Sequence, residues 1–147
     1  MPHLVHTEVI AIRWGDMDAM GHVNNTLYFR YMEQARVAWY ERLGLNENSP
    51  DLPPRCGPVI VSTGCTFLRP LTYPGEVEVK VFIGEPGRSS LVSFYEMRPT
   101  YDRGTLYAEG QAKAVWVDRD KNKSIPLPDK LRALLHAANA IKEGTHP

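Results

Sequence analysis

One amphipathic segment sets the main constraint on the fold of this chain. From about Asn24 to Leu43, apolar residues recur at the three- and four-residue spacing of a helix. The apolar stripe consists of Tyr28, Met32, Ala35, Trp39 and Leu43, widened by Tyr31 and Ala38. The charged residues that fall largely outside it are Arg30, Glu33, Arg36 and Glu41. Asn24 is a good cap and Gly44 a good stop, so we predict one long helix with an aromatic face to bury.

Most of the remaining chain has the pattern of strands. Leu4 to Arg13 is rich in β-branched residues, and Glu47 to Pro58 has the prolines and turn formers of a loop. Val59 to Asp118 has the character of strands, with the period-two alternation visible from Val77 to Ile83. Turns at 85–88 and 102–104 lead us to expect hairpins joining the second to the fifth strand. A second helix is predicted from Asp129 to near Gly144. The fold class is α+β, with a five-stranded, mainly antiparallel sheet wrapped around the long helix.

One predicted strand has an unusually small face. Between Thr105 and Val117, the residues of that face are Leu106, Ala108, Gly110, Ala112, Ala114 and Trp116. Small side chains let a bulky helix lie directly on a sheet, so we expect the closest approach at Gly110. The alternative is that Gly110 marks a β-bulge.

Composition indicates the general class of protein. The 147 residues fit a single domain, residues 1–147, with a sizeable core. Lys plus Arg and Asp plus Glu both number 17, so no global charge recruits nucleic acid or a membrane surface. Cys56 and Cys65 are expected to be reduced, partly buried thiols rather than catalytic ones. With neither an export signal nor a bilayer-spanning run, the expected location is the cytoplasm.

The segment from Arg13 to Tyr28 has the groups needed for acid–base chemistry. Its polar side chains include Asp16, Asp18, His22, Asn24 and Asn25, with a flexible glycine at position 21. An acidic turn before a helix N-terminus can hold a catalytic base beside N–H groups that stabilise developing negative charge. This arrangement suits the splitting of an activated acyl group.

The segment is also similar to a known signature. Asp16-Met17-Asp18 and Gly21-His22-Val23-Asn24-Asn25, followed by Tyr28, Glu33 and Arg36, resemble the 4-hydroxybenzoyl-CoA thioesterase branch of the hotdog-fold acyl-CoA thioesterase superfamily. The likeness extends through the order of elements to about Pro128. It implies a hotdog fold and hydrolysis of an acyl-CoA without a cofactor, since coenzyme A is part of the substrate. Asn25 stands where the aromatic-specific enzyme has tyrosine, so the likeness is greater to general bacterial acyl-CoA hydrolases.

The resemblance also implies roles for individual residues. Asp18 matches the catalytic carboxylate, acting as base or nucleophile, and the backbone N–H of Asn25 matches the donor to the thioester carbonyl. Asp16 is expected to be structural, bonding turn amides or pairing with Arg13. His22 either tunes Asp18 or packs in the core, and the Asn25 amide is a further candidate donor. A metal site of Asp16, Asp18 and His22 is disfavoured because the ligands are few.

Other residues are candidates for substrate binding. Tyr28 either lines an acyl tunnel or belongs to the core, and Glu33 either faces the acyl pocket or pairs with Arg36. Arg88, with Ser89 and Ser90, offers donors for the phosphates of coenzyme A. Further phosphate candidates are Arg119, Lys121 and Lys123, and the pantetheine arm is expected along Gly64 to Thr66 or the Arg69-Pro70 region.

The family likeness also implies the assembly and leaves more than one function open. Open strand edges are usually paired, and the family pairs subunits edge to edge, so we expect a homodimer or homotetramer with its site between subunits. The His-Val-Asn-Asn run is similar to plant-type acyl-carrier-protein thioesterases, which makes a carrier protein an alternative leaving group. The pattern is also compatible with an enoyl-thioester hydratase and with a non-catalytic acyl-CoA-binding module.

Overall fold

The computed structural model describes residues 2–45, 50 and 52–144. Of the loop predicted from Glu47 to Pro58, residues 47–49 and 51 lie outside this part of the chain. In chain order, the elements are β1 (His3–Ile12), α1 (Asn25–Arg42), β2 (Cys56–Phe67), β3 (Gly75–Ile83), β4 (Ser90–Pro99), β5 (Ala108–Asp118), the short β6 (Lys123–Ser124) and α2 (Asp129–Gly144). The predicted α+β class, with five main strands and a long and a C-terminal helix, is confirmed.

The sheet is antiparallel throughout, with the order β1-β3-β4-β5-β2. The predicted hairpins β3–β4 and β4–β5 are confirmed. The predicted β2–β3 hairpin is wrong, because β2 pairs with β5 and β3 pairs with β1. β2 also begins at Cys56 rather than Val59, so Gly57 and Pro58 are in a strand and not in the predicted loop. An edge strand tolerates proline because one of its sides needs no ladder N–H.

Helix α1 packs across one face of this sheet, as its apolar stripe predicts. Its buried apolar residues are Tyr28, Tyr31, Met32, Ala35, Trp39 and Tyr40. Asn24 caps its start, with the Asn24 side-chain oxygen accepting from the Thr26 N–H at 3.0 Å. Gly44 follows its end with φ +74°, a conformation that favours glycine.

The core has two parts along α1. The N-terminal half of the helix packs on Val77, Val79 and Met97 among others. The C-terminal half packs through Trp39 on Trp116 and on apolar residues near or within α2. The two ends of α1 therefore lie in different surroundings, and only the N-terminal end adjoins the acidic segment before the helix.

Gly110 is a point of very close contact between α1 and the sheet. A Cβ atom there would overlap the Met32 sulfur and lie 2.9 Å from the Gly64 carbonyl oxygen. The register of β5 is continuous at Gly110 on both neighbours, and the irregularity in its pairing with β2 lies between Ile60 and Ser62. The predicted close approach is confirmed, and the alternative of a bulge at Gly110 is wrong.

Arg36 departs from the predicted polar face of α1. It is only 8% exposed, and its Nη1 donates to the Tyr95 hydroxyl at 3.0 Å. That hydroxyl also lies 2.6 Å from the Ser93 Oγ, so a polar network crosses the core. The possible ion pair between Glu33 and Arg36 is therefore wrong, and Glu33 instead lies 4.0 Å from Arg30.

The outer edge of β2 carries an exposed apolar run. Val59, Ile60 and Val61 are exposed although they succeed one another in the strand, so neither face of β2 is covered at this point. Within the described chain, β2 pairs only with β5. No described helix combines the length and the apolar character required to cross a membrane.

Candidate active site

The acidic segment is anchored to α1 through Asp16. The Asp16 Oδ2 accepts from the Arg13 N–H at 3.0 Å and from the Tyr31 hydroxyl at 2.8 Å. Its carbonyl oxygen accepts from the Asn24 N–H at 2.9 Å. Burial, followed by the bond to Asp16, raises the pKa of Tyr31. The expected contact of Asp16 with a turn amide is confirmed.

Asp18 is held in a tight turn by its backbone and its side chain. Its N–H donates to the His22 carbonyl oxygen at 2.9 Å, and its carbonyl oxygen accepts from the Gly21 N–H at 3.0 Å. Gly21 has φ +79°, which favours glycine at this turn. The carboxylate accepts from the Met20 N–H at 2.9 Å and from the Asn24 side-chain amide at 3.3 Å. These bonds fix the orientation of the Asp18 carboxylate, which remains exposed to solvent.

Asn24 joins this carboxylate to the helix. Its amide nitrogen donates to Asp18, while its amide oxygen accepts from the Thr26 N–H and, at 2.6 Å, from the Thr26 hydroxyl. Asn25 is the first residue of α1. An N–H in the first turn has no acceptor within its own helix, so it can donate to a bound oxygen. The Asn24 side-chain amide thus links the Asp18 carboxylate by hydrogen bonds to the N-terminal end of α1, where the helix dipole is positive.

A groove of about 460 Å³ opens beside these groups. It is lined by Asp18, Met20, His22, Val23, Asn25, Tyr28, Phe67, Leu68, Arg69 and Pro70. The structure therefore brings together Asp18, His22, Asn25 and Tyr28 from the predicted set. His22 is exposed on this groove, so its interpretation as a packed core histidine is wrong.

The opposite wall comes from the end of β2 and the segment after it. Phe67 and Leu68 were missed as groove residues, although two apolar residues before Arg69-Pro70 are a visible signal. The Tyr28 ring meets Phe67 edge-on with centroids 4.9 Å apart, and its buried hydroxyl accepts from the Leu71 N–H at 3.0 Å. Burial raises the pKa of Tyr28. Tyr28 is thus both a core residue and a support of the groove wall.

The other predicted binding residues lie away from this groove within one chain. The Arg88 carbonyl oxygen accepts from the Leu127 N–H, and that of Ser89 from the Trp116 N–H, which places both beside the C-terminal half of α1. Ser90 follows as the first residue of β4. The 18 residues of α1 span about 27 Å, so this end is remote from Asp18. Glu33 is exposed on α1 and does not line the groove.

Two further observations bear on metals and thiols. Among the described residues, no three or more His, Cys, Asp or Glu side chains are grouped as a metal site would require. Cys56 and Cys65 are free and partly buried, as predicted. Burial, with a smaller effect of the Glu109 charge, raises the pKa of Cys65 to about 11, so this thiol stays protonated at neutral pH.

Comparison with known proteins identifies the family. The model of the thioesterase-like superfamily matches residues 12–135, a range that contains the acidic segment, α1 and the whole groove. The chain belongs to the thioesterase-like superfamily. Membership in this superfamily confirms the hotdog fold and the expected enzyme class, a thioester hydrolase.

Solved structures agree with this thioesterase assignment. The chain is 44% identical to the PA2801 protein of Pseudomonas aeruginosa, proposed to be a thioesterase, over 90% of this chain and 99% of that one, with a TM-score of 0.84. It is 36% identical to a proposed acyl-CoA thioesterase of Xanthomonas campestris, over 78% and 94% of the chains, with a TM-score of 0.68. The DHNA-CoA thioesterase of Staphylococcus aureus, 21% identical over 97% and 96% with a TM-score of 0.81, shares the fold.

Proposed function

We propose that this thioesterase hydrolyses an acyl-CoA to a free acid and coenzyme A, with Asp18 as its catalytic carboxylate. The observation that carries the proposal is the groove in which an exposed, hydrogen-bonded carboxylate lies beside the first turn of α1. A thioester carbonyl is electrophilic enough to be attacked without a resident cofactor. The superfamily and the Xanthomonas relative support an acyl-CoA substrate. The 4-hydroxybenzoyl-CoA branch is the part of the superfamily that the acidic segment resembles.

The reaction runs in two stages if Asp18 acts as a base. Its carboxylate takes a proton from water as the water oxygen adds to the thioester carbonyl. The Asn25 N–H then stabilises the resulting oxyanion, to which its side-chain amide is a possible second donor. When the oxyanion collapses, the carbon–sulfur bond breaks and the thiolate takes the proton from Asp18. As a nucleophile, Asp18 would instead add to the thioester carbonyl and expel the thiolate as the carbon–sulfur bond breaks, which leaves a mixed anhydride. Water then hydrolyses the anhydride to the free acid and the Asp18 carboxylate, and a proton from that water goes to the thiolate. His22 lines the groove beside Asp18, where its ring can tune that carboxylate.

We propose a homodimer built through the free edge of β2. The apolar run Val59 to Val61, exposed on both faces of the strand, supports pairing with a second copy. Antiparallel pairing about a two-fold axis brings the end of one β2 beside the start of the other. The start of β2 lies next to the C-terminal half of α1, as the groove shared by Val37 and Pro58 shows. Assembly of two such dimers would give the alternative homotetramer.

This pairing gives the remote residues a place in the site. In a second copy, Arg88, Ser89 and Ser90 lie beside the C-terminal half of α1, the end that edge pairing turns toward the first copy's groove. We propose that Arg88 and the two serines contact the nucleotide part of coenzyme A from there. Of the two residues predicted to contact the acyl group, Tyr28 lines the groove and is proposed to do so, whereas Glu33 does not line the groove and receives no role in this proposal. A cytoplasmic location remains our proposal.

The test is thiol release from saturated acyl-CoAs of graded length by wild type and Asp18→Asn. We expect Asp18→Asn to lose at least about a hundredfold in kcat, because it removes the proton acceptor. Asp129→Asn, the same exchange at an exposed position of α2, should retain wild-type activity. Asn25→Ala should lose less, since its N–H remains. Full activity in Asp18→Asn would refute the mechanism.

The same assay separates the alternative functions. Only hydrolysis frees a thiol from a saturated substrate, so water addition to an enoyl-CoA without thiol release would indicate a hydratase. Binding of acyl-CoA without turnover would indicate a non-catalytic module. Faster release from an acyl-carrier-protein thioester than from the matching acyl-CoA would make the carrier protein the substrate.

A further inference from the structure

Arg69 is a cation in the wall of the Asp18 groove that the proposed reaction leaves without a role. It follows Phe67 and Leu68 at the end of β2, and all three line the groove. Its side chain is exposed. Among the described residues that line this groove, it contributes the only permanently positive side chain.

The backbone around Arg69 is firmly anchored. The Arg69 N–H and the Leu68 N–H both donate to the Tyr107 carbonyl oxygen, at 3.0 and 2.9 Å. Pro70 follows, which fixes one backbone angle, and Leu71 then bonds Tyr28 through its N–H and Val23 through its carbonyl oxygen. The guanidinium therefore extends from a base whose position relative to Asp18 is fixed by both walls of the groove.

The guanidinium of Arg69 differs from most others in the chain because it has no described hydrogen-bond or ion-pair partner. Arg98 lies 2.8 Å from the Glu96 carboxylate and Arg103 lies 3.4 Å from that of Glu78. The Asp102 carboxylate accepts from the Tyr107 hydroxyl at 3.1 Å and from the Thr105 hydroxyl at 3.0 Å, and among the described residues no ion pair joins it to Arg69. An exposed guanidinium on a rigid base, with its donors free, suits an anionic ligand that arrives with the substrate.

We propose that Arg69 binds the diphosphate of coenzyme A and so holds the pantetheine arm along the wall formed by Phe67 and Leu68. This inference rests on the proposed acyl-CoA hydrolysis. A guanidinium forks onto phosphate oxygens through two parallel N–H bonds, a geometry that a neutral amide does not reproduce. In the same chain, Arg88 lies at the far end of α1, so Arg69 is the cation that one subunit supplies at the groove itself.

The test compares two thioesters of one neutral acyl group, hexanoyl-CoA and hexanoyl-N-acetylcysteamine, which lacks every phosphate. For Arg69→Gln, we expect KM for the CoA substrate to rise about tenfold with kcat within twofold, in keeping with the loss of a charge-assisted contact at an exposed site. KM for the N-acetylcysteamine substrate should not change. Arg30→Gln, which removes an exposed arginine of α1 outside the groove, is the matched control and should leave both KM values unchanged.

Two results would overturn the inference. An equal rise in KM for both thioesters would assign Arg69 to the acyl group or to the groove wall, and unchanged KM for both would leave it without a binding role. Calorimetric binding of coenzyme A and of pantetheine to Asp18→Asn supplies a readout without turnover, in which adding Arg69→Gln should weaken only the binding of coenzyme A. If wild type releases thiol from no acyl-CoA of the graded series, the proposed function fails, whereas an active wild type unaffected by Arg69→Gln refutes this inference alone.

Discussion

Replacing Gly110 with alanine tests the close contact between α1 and the sheet at β5. The added Cβ would overlap the Met32 sulfur and lie 2.9 Å from the Gly64 carbonyl oxygen. The Met32 side chain can rotate away, but the Gly64 carbonyl belongs to the neighbouring strand and moves only if β2 moves. The change therefore forces a shift of backbone as well as of a side chain.

The size of the effect follows from these contacts. Overpacking a filled core costs about 1–3 kcal/mol, and a backbone clash favours the upper half of that range. Alanine also lowers the conformational entropy of the unfolded chain, and this effect offsets about 0.4–1 kcal/mol of the loss in stability. We therefore expect Gly110→Ala to lower the free energy of unfolding by about 2 kcal/mol, which for a domain of this size lowers Tm by about 4–8 °C.

Urea unfolding followed by circular dichroism measures this loss. Gly104→Ala is the matched control, because a Cβ at Gly104 meets nothing within 4 Å, and it should leave stability unchanged or slightly raised. Adding Met32→Ala to Gly110→Ala should cost at least about 1 kcal/mol less than the two single changes summed, since it removes one clashing partner. A Gly110→Ala protein as stable as wild type would refute the close contact.

Two more predictions follow from the acidic segment and its anchors. Asn24→Ser keeps a helix cap, but its shorter side chain with a single hydroxyl does not span from the Thr26 N–H to the Asp18 carboxylate. We therefore expect stability within about 0.5 kcal/mol of wild type and a fall in kcat, whereas Asn24→Ala should also lose about 1 kcal/mol of stability. Unchanged kcat in both variants, measured by thiol release, would contradict the coupling of cap and carboxylate. The pKa of Tyr31 is raised above the ordinary 10.0, so its contribution to stability is complete below pH 10 and falls as the pH rises from there toward the folded pKa, because the unfolded chain releases the proton first. Urea midpoints should therefore decrease less steeply above pH 10 in Tyr31→Phe than in wild type, and equal slopes would rule this out.

The elements that local pattern determines were predictable. Helix α1 follows from a stripe with helical spacing between a capping Asn24 and Gly44, all within about twenty consecutive residues. The small face around Gly110 likewise predicted where the helix comes closest to the sheet. These features depend on near neighbours and on side-chain volume, both of which are visible in the sequence.

Strand partners and long side chains were harder to predict. Nothing in the pattern of β2 shows that it pairs with β5 instead of the next strand along the chain, since register and order are set by long-range packing. Arg36 looked polar and therefore outward, yet its length lets the guanidinium cross the core to Tyr95, 59 positions later.

The residues of the candidate site also fall into two groups, those that local sequence predicts and those that only the tertiary fold brings together. Asp18, His22 and Asn25 are close in sequence, so a turn before a helix brings them together by local geometry. Phe67 and Arg69 are more than forty positions away and reach the groove only because β2 ends beside Tyr28. Arg88 has the chemistry of a phosphate contact, but its distance from Asp18 depends on the order of the strands in the whole sheet.

The Asn24 amide bonds both the Asp18 carboxylate and the first turn of α1, and this double contact has a consequence for thermal inactivation. Helix ends open locally far more readily than whole domains unfold, and such openings are detected by amide hydrogen exchange. When the first turn of α1 frays, the Asn24 amide also releases the Asp18 carboxylate, so the orientation of that carboxylate and the intact helix end are lost in the same event. With Asp18 as the proposed catalytic carboxylate, warming would then inactivate the enzyme through fraying of this helix end, at temperatures where the sheet and both halves of the core are still intact.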